Sequence, residues 1–468
     1  LSTTSSVAGD RRIYFQSYLD YNQKFCDHNV SGMVLWNIDQ YDNNAPSDLV
    51  ASLPRRKMGL AGRLSYDYDN RYLIEVNAGY NGSENFAKGH KWGFFPSVAV
   101  GWNVSQERFF EPLKDVVSNL KLRASYGLVG NDQLLDSSNN LIRFIYMSDI
   151  TLQSGDAQFT TGDRQQISLN GPVYTRYQNN DLTWEVGEKL NVGLDLQLFH
   201  SLNFTVDAFR EIRRDIFQQR NSIPNYLGTA KTAVYGNLAK VKNFGFDLSL
   251  DYGKQINKDL AIQFKGTFTF ARNEILEYDE APGVRPALSN IGKKLNTIYG
   301  YVTSGLYIDE ADIANNPTST LGNIAIAPGD IKYVDQPDKD GKYDGKITSD
   351  DRVAMGYPTV PEIVYGFGPS ISYKNWDFSF FFQGVANTSL MISGFSPFGT
   401  QYNRNVLSWI ADDYWSESNQ NPNAAYPRLT KNDNNHNTQP SDHWLRNGAF
   451  LKLKNAEIGF TYKKARFY

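Results

Sequence analysis

The residues whose spacing best suits chemistry are the acids of the run Asp338-Lys339-Asp340-Gly341-Lys342-Tyr343-Asp344-Gly345-Lys346-Ile347-Thr348-Ser349-Asp350-Asp351. With Gly345 as the sharp-turn glycine of a calcium loop, Asp340, Asp344 and Asp351 fall at ligand positions 1, 5 and 12, and Ile347 at position 8. Carboxylate oxygens so spaced can converge on one hard cation. Position 3 is Lys342, a donor that cannot ligate, so Asp338 is the substitute, and a Ca2+ site here is expected to be weak, on the order of 0.1–1 mM. The same spacing also fits an acidic, turn-rich surface loop neutralised by Lys339, Lys342 and Lys346.

A second group is aromatic. Trp409, Tyr414 and Trp415 lie among Asn, Asp, Gln and Ser. Flat aromatic faces stack on sugar rings while amides and carboxylates bond hydroxyls, so these three are candidate substrate-binding residues. The alternative is that they pack the segment onto itself or onto a partner. Signals for catalysis are poor. The chain has no phosphate loop, no His-Glu-x-x-His and no Gly-x-Ser-x-Gly. Its five histidines (His28, His90, His200, His436, His443) are scattered over predicted turns and loops, and Asp412-Asp413 reads as a solvated pair. No catalytic residue is expected, and the chain is not read as an enzyme.

The elements that must position these residues follow from composition and period. The chain has 468 residues and a formal charge of -3, which argues against a nucleic-acid partner. Its single cysteine, Cys26, excludes an intrachain disulfide and a Cys-based zinc cluster. No run approaches the ~18 apolar residues of a spanning helix, which leaves membrane β-structure open. The aromatic content is high, with 29 Tyr, 28 Phe and 8 Trp beside 37 Gly. That mixture suits strands and turns, and suits best a barrel with aromatic girdles.

Period-2 alternation recurs throughout. Leu190, Val192, Leu194, Leu196 and Leu198 face one way while Asn191, Asp195 and Gln197 face the other. Leu260, Ile262, Phe264, Gly266, Phe268 and Phe270 alternate likewise with Gln263, Lys265, Thr267 and Thr269. About thirteen such segments are expected, many near the ten residues with which a tilted strand crosses a bilayer. They lie at 12–25, 29–40, 55–68, 71–81, 94–102, 119–128, 189–199, 202–213, 243–253, 259–273, 361–373, 376–388 and 449–462, and a fourteenth is expected to begin at Ala465.

The connections alternate between compact ones and the long segments 41–54, 82–93, 129–188, 214–242, 274–360 and 389–448. The stretch 103–118 occupies a compact slot, expected as a small helix. Putting every long loop at one end is the habit of outer-membrane barrels, with short periplasmic turns and long extracellular loops. The fold class is therefore all-β, an antiparallel transmembrane β-barrel in a single domain over 1–468. A large secreted β-protein would also alternate, but its exposed faces would not carry so much Leu, Ile, Phe and Tyr.

Several blocks carry a family resemblance. They are Asn70-Arg71-Tyr72-Leu73; Asn81-Gly82-Ser83-Glu84-Asn85-Phe86; Lys91-Trp92-Gly93-Phe94-Phe95-Pro96-Ser97-Val98 with Gly101-Trp102; and Leu120-Lys121-Leu122-Arg123-Ala124-Ser125-Tyr126-Gly127 with Gly130-Asn131. Leu182-Thr183-Trp184-Glu185, Asn243-Phe244-Gly245-Phe246-Asp247-Leu248-Ser249-Leu250 and Tyr365-Gly366-Phe367 follow. Tyr426-Pro427-Arg428-Leu429, Trp444-Leu445 and Phe450-Leu451-Lys452-Leu453-Lys454-Asn455 complete the series. In this order the blocks resemble the SusC/RagA family of TonB-dependent outer-membrane transporters.

The resemblance implies a 22-stranded barrel closed by an N-terminal plug. These 468 residues show no recognisable plug or TonB-box segment, so the chain is expected to be a partial barrel of strands eight to twenty. The implied function is import of a glycan or peptide captured with a SusD-like surface lipoprotein. The implied energy source is the TonB complex, reached through an N-terminal region, and the implied place is the outer-membrane lipid. A siderophore- or cobalamin-type receptor of the same architecture stays open at this point, as does a secreted all-β carbohydrate-binding or carbohydrate-cleaving protein.

Overall fold

The computed structural model describes residues 9–44, 49–136, 139–223, 233–392, 406–430 and 434–462. Its main feature is one 13-stranded sheet whose strand order follows chain order. The strands are β1 (Asp10–Phe25), β2 (His28–Asn43), β3 (Arg55–Tyr68), β4 (Tyr72–Ser83), β5 (Trp92–Asn103), β6 (Val117–Asn131) and β7 (Glu185–Leu198). They continue as β8 (Leu202–Gln219), β9 (Tyr235–Gln255), β10 (Leu260–Glu277), β11 (Ile363–Tyr373), β12 (Trp376–Ala386) and β13 (Phe450–Phe460). All thirteen expected segments are strands. The segment beginning at Ala465 lies outside the described residues. Within 103–118 the chain forms short 3-10 helices, Val104–Gln106 and Arg108–Leu113.

Neighbouring strands from β1 to β10 pair antiparallel, so successive connections alternate between the two ends of the sheet. At the compact end, Asp69 and Asn70 both take positive φ, 50° and 53°, as a two-residue hairpin turn requires. At the other end the strands overrun the expected limits. Strand β9 has 21 residues, ~70 Å of extended chain, where about ten suffice to cross a bilayer. The surplus projects beyond the membrane.

Register separates the two faces. Leu122, Leu194, Val206, Leu248 and Phe268 are consecutive partners across β6 to β10. One residue away, Lys121, Asp195, Thr205, Ser249 and Thr267 are also consecutive partners. One row is apolar and the other polar, the pattern of a wall between lipid and water. Leu19 (80% exposed), Phe94 (60%) and Leu64 (55%) show how far the apolar face stands open on this chain alone. A band this wide is a membrane surface and not a solvent surface.

Aromatics collect near the compact end of that face. Tyr68 stacks on Tyr72 at 6.4 Å, and Trp376 packs against Phe460 at 4.8 Å. Tyr72 Oη and Trp102 Nε1 both donate to Glu107 Oε1, at 2.6 and 3.1 Å. An apolar ring with a polar tip turned to a carboxylate is the arrangement that suits a membrane–water boundary.

The chain forms two compact units. The first spans 1–281, 367–381 and 455–468 and holds most of the wall. Its core is built by loops packing on strand ends: Phe86, Leu134, Ile145, Leu182, Trp184 and Tyr235 are buried together. The second unit spans 282–366 and 382–454. It has its own core of Tyr301, Leu306, Ile331, Tyr333, Ile347, Ile410, Trp415, Ala424 and Trp444. Segments expected as long loops thus carry packed cores.

Candidate functional site

The polar face of the sheet is laced with charge pairs. Arg63 meets Glu75 at 2.9 Å, and Glu75 also accepts from Ser65 Oγ and Asn77 Nδ2, each at 3.0 Å. Arg123 Nε donates to Asp195 Oδ2 at 3.0 Å, and its Nη2 reaches Asp207 Oδ2 at 2.7 Å. That second bond spans a whole strand, because Gly193 stands between Arg123 and Asp207 in the register. A Cβ on Gly193 would lie 2.7 Å from both Arg123 Cζ and Asp207 Oδ1. Gly59 plays the same part between Asn37 and Asn81. Glycine on the polar face lets long polar side chains cross, leaving a fixed array of donors and acceptors facing water.

Two of the grooves in the wall differ in lining. One of about 540 Å³ is lined by polar side chains that include Asn203, Asp251, Gln263, Lys265, Ser370 and Glu457. The other, about 570 Å³, is lined largely by residues of the apolar face, among them Tyr66, Ile74, Val100, Trp102, Leu122 and Val192. The second is lined almost wholly by apolar atoms, and its position on the lipid face makes it a poor home for a polar solute. The polar groove is the better candidate for solute contact.

At the long-loop end of the first unit, Arg143 is buried and ties three segments together. Its Nη1 donates to the carbonyls of Val50 and Leu53, and its Nη2 to Pro54 O and Glu84 Oε1. Trp184 packs against Phe86 and Phe95 at 5.4 and 5.3 Å. Its Nε1 donates to Lys91 O at 3.3 Å. The blocks 81–86, 91–98 and 182–185, separate in sequence, therefore meet in one cluster.

The second unit is organised by a buried acid. Asp330 is 0% exposed and accepts from Arg428 Nε (2.7 Å) and Nη2 (3.0 Å), Asn434 Nδ2 (3.0 Å) and Asn437 Nδ2 (2.9 Å). Beside it, His436 Nε2 lies 2.7 Å from Ile331 O and its Nδ1 3.1 Å from Ser319 Oγ. A carbonyl can only accept, so Nε2 carries the proton and Nδ1 accepts from Ser319. Burial lowers the His436 pKa, and burial raises the Tyr333 hydroxyl well above its ordinary value.

The aromatic candidates separate. Trp415 is 5% exposed and belongs to the core of the second unit, resting on Gly329 where no Cβ would fit. The expectation that it stacks on substrate is corrected: its faces are taken by protein. Tyr414 is half-buried, and its backbone bridges to Tyr426. Trp409, on the helix Ser408–Asp412, is 59% exposed and is the only one of the three that offers a broad open surface.

The acids also separate. Among the described residues, no three His, Cys, Asp or Glu side chains are gathered for a metal ion. Asp338 closes a tight turn on itself, its Oδ1 accepting from Asp340 N at 2.8 Å and Lys342 N at 2.9 Å. Asp340 is exposed on that turn. Asp344 Oδ1 accepts from Lys346 N, and Asp351 caps the turn Ser349–Asp351 through Thr348 N at 2.7 Å. The register that starts at Asp340 is therefore corrected, because the 338–342 turn holds Asp338 and Asp340 apart from Asp344 and Asp351. Sequence reasoning missed Asp335, which reaches the Gly345 turn from before the 338–342 turn. Its Oδ2 accepts from Gly345 N at 2.8 Å. Burial raises its pKa, helped by the nearby charges of Asp351 and Asp344. The available signal was the Asp-Gly pair at 340–341, which marks a turn that can be looped out of a count.

Known proteins share this architecture. Residues 1–387 match the family described as TonB dependent receptor-like, beta-barrel. The chain is 26% identical over 484 residues to TonB-dependent receptor P3 of Formosa agariphila, covering 95% of this chain and 45% of that protein. It is 24% identical over 412 residues to TonB-dependent receptor SusC of Bacteroides thetaiotaomicron, covering 86% of this chain and 37% of that protein. Among solved structures, that of the RagAB peptide transporter superposes with a TM-score of 0.70 at 20% identity, covering 96% of this chain and 49% of that one. The chain spans less than half the length of these relatives. It belongs to the TonB-dependent receptor-like β-barrel family, resembles SusC and RagA within it, and forms barrel wall in the outer membrane.

Proposed function

We propose that this chain is the wall and loop portion of a SusC-type, TonB-dependent transporter that imports glycans or peptides. The observation that carries the reading is the pairing of an apolar outer row with a polar row one residue away across β6 to β10. The polar row belongs to a lumen whose charged and amide groups are held in place by bonds such as Arg123 to Asp195 and Asp207. Such a lining suits a hydroxyl- or amide-rich solute, which exchanges water for wall contacts at little net cost.

A SusD-like surface lipoprotein is the proposed partner at the long-loop end, and the TonB complex the proposed energy source. The family match and the likeness to SusC and RagAB support both. Because RagAB is a peptide transporter, peptide stands beside glycan as the proposed substrate class. Within the second unit, exposed Trp409 is the proposed stacking surface for the solute.

Deletion of the gene for the full-length transporter provides the test. Cells are fed defined oligosaccharides, peptide mixtures or ferric siderophores as sole source of carbon, nitrogen or iron. Loss of growth on an oligosaccharide or on peptides, together with co-purification of a surface lipoprotein with the tagged transporter, is the expected result. Loss confined to ferric siderophore, with no lipoprotein partner, would replace this reading by the siderophore one.

A further inference from the structure

We infer that the groove on the lipid face of β3 to β7 binds one phospholipid of the periplasmic leaflet. An acyl chain lies along its floor, and a headgroup carrying both a phosphate and a primary ammonium sits at its mouth. The inference rests on the membrane placement of the sheet and not on what the transporter carries.

The floor is set by register. Tyr66, Ile74, Val100, Ala124 and Val192 are consecutive partners across β3 to β7. Toward the compact end, the next row on the same face is Tyr68, Tyr72, Trp102, Leu122 and Leu194. Ala124 is thus a single methyl, with Leu122 and Tyr126 on either side along its own strand and Val100 and Val192 on the neighbouring ones. The dip belongs to the groove of about 570 Å³, which Tyr72, Trp102 and Leu122 wall at the compact end. A groove this apolar stays dry, and the medium on this face is lipid. A flexible acyl chain restores the close contacts that a void forfeits. Burial alone cannot choose among lipids, because a chain gains no hydrophobic energy in moving from bilayer to groove. Selection must come from the headgroup.

The mouth carries both signs of charge. Tyr72 and Trp102, which line the groove, both turn their polar atoms to Glu107 Oε1. Arg71 stands between two carboxylates, its Nη1 3.7 Å from Glu107 Oε2 and its Nε 3.1 Å from Asp69 Oδ2. Its guanidinium lies over the Tyr68 ring, 5.3 Å from the centroid. A phosphate accepts from Arg71, and an ammonium donates to Asp69, whose side chain is 51% exposed. Two carboxylates beside one guanidinium disfavour a headgroup that is only anionic. A trimethylated ammonium has no N–H to donate, so a primary ammonium fits better.

A second observation puts the mouth at headgroup depth. The 3-10 helix Arg108–Leu113 follows Glu107 directly, burying Phe110 and leaving Phe109 67% and Leu113 53% exposed. Open apolar side chains next to Arg108 and Lys114 suit a segment lying in the bilayer surface, with its apolar groups in the acyl boundary and its cations at the phosphates. Glu107, and Arg71 paired with it, share that level. The Ala124 row is two residues farther along each strand, about 5 Å deeper for tilted strands, and so lies in hydrocarbon.

The test uses the full-length transporter in detergent, incubated with an equimolar mixture of phosphatidylethanolamine, phosphatidylcholine and phosphatidylglycerol and read by native mass spectrometry. One phosphatidylethanolamine per transporter is expected. It should be favoured about tenfold over either competitor, each of which lacks the donor that meets Asp69. Ala124→Phe fills the dip and should remove the bound lipid without changing heat-modifiable mobility; Ala124→Leu serves if the larger ring blocks assembly. Arg71→Gln and Asp69→Asn should each lower retention and erase the preference. Leu248→Phe, on the same face outside the groove, should retain the lipid as the wild type does. Equal retention of the three lipids by the wild type, or retention of none, would overturn the site. So would a preference for phosphatidylglycerol, or wild-type retention by both Ala124→Phe and Ala124→Leu.

Discussion

Leu194→Arg is the sharpest test of the wall. Leu194 faces Leu122 on one side and Val206 on the other, inside the apolar row that ends at Phe268. It lies five residues from Phe199, a turn residue that is 59% exposed at the compact end. Five residues at ~3.3 Å each, tilted by about 45°, raise it ~12 Å above the turn. The apolar band of such barrels is about 25 Å tall, so Leu194 sits near the midplane, where an arginine costs about 2–4 kcal/mol. That corresponds to roughly a hundredfold in the folding equilibrium. Phe268 is nine residues beyond Asp259, ~21 Å by the same arithmetic and close to the far boundary, so Phe268→Arg should cost ~1 kcal/mol or less. Thr205→Arg, on the polar row beside Asp195, should cost little. The assay is denaturant unfolding of the full-length transporter in lipid, read by heat-modifiable mobility on a gel. Equal destabilisation by Leu194→Arg and Thr205→Arg would refute the assignment of faces. A Phe268→Arg cost equal to that of Leu194→Arg would refute the depth argument.

The remaining predictions concern the second unit. Trp415→Ala removes a buried indole and should cost about 3–5 kcal/mol, read as lost exchange protection across 301–333, whereas Trp409→Ala, at an exposed position, should cost much less protection and weaken solute binding. Arg428→Ala leaves Asp330 with two amides and backbone but no cation, and should cost about 3 kcal/mol in the same measurement. His436 and His443 both have pKa values lowered by burial, so the unfolded chain binds more protons than the folded one below the ordinary histidine range. Protection of the second unit should therefore be full above about pH 6.5 and decline as the pH falls through their depressed values. His436→Gln with His443→Gln should flatten that decline, and an unaltered profile in the double variant would show the histidines are not its source.

The wall was legible in the sequence because its physics is local. A strand with lipid on one side and water on the other must alternate at every step, so Leu190 to Leu198 and Leu260 to Phe270 announce both strand and face without any knowledge of their partners. The compact turns were legible for the same reason. Strand ends were less so: β8, β9 and β10 run beyond the expected limits because their projecting parts are held by tertiary partners instead of lipid. The family blocks were visible as strings, but their cause was not. Trp184 and Phe95 touch across 89 positions, and Asp330 meets Arg428 across 98 and Asn437 across 107. Such pairings decide which of several similar residues is buried, and no local period encodes them. Trp409 and Trp415 are six residues apart in one polar stretch, and only packing on Gly329 makes one of them core and leaves the other exposed. Asp340 falls at position 1 only because counting along the chain treats every residue as one step. The 338–342 turn removes five of those steps by bonding to itself, and the closing bond from Gly345 to Asp335 exists only in three dimensions.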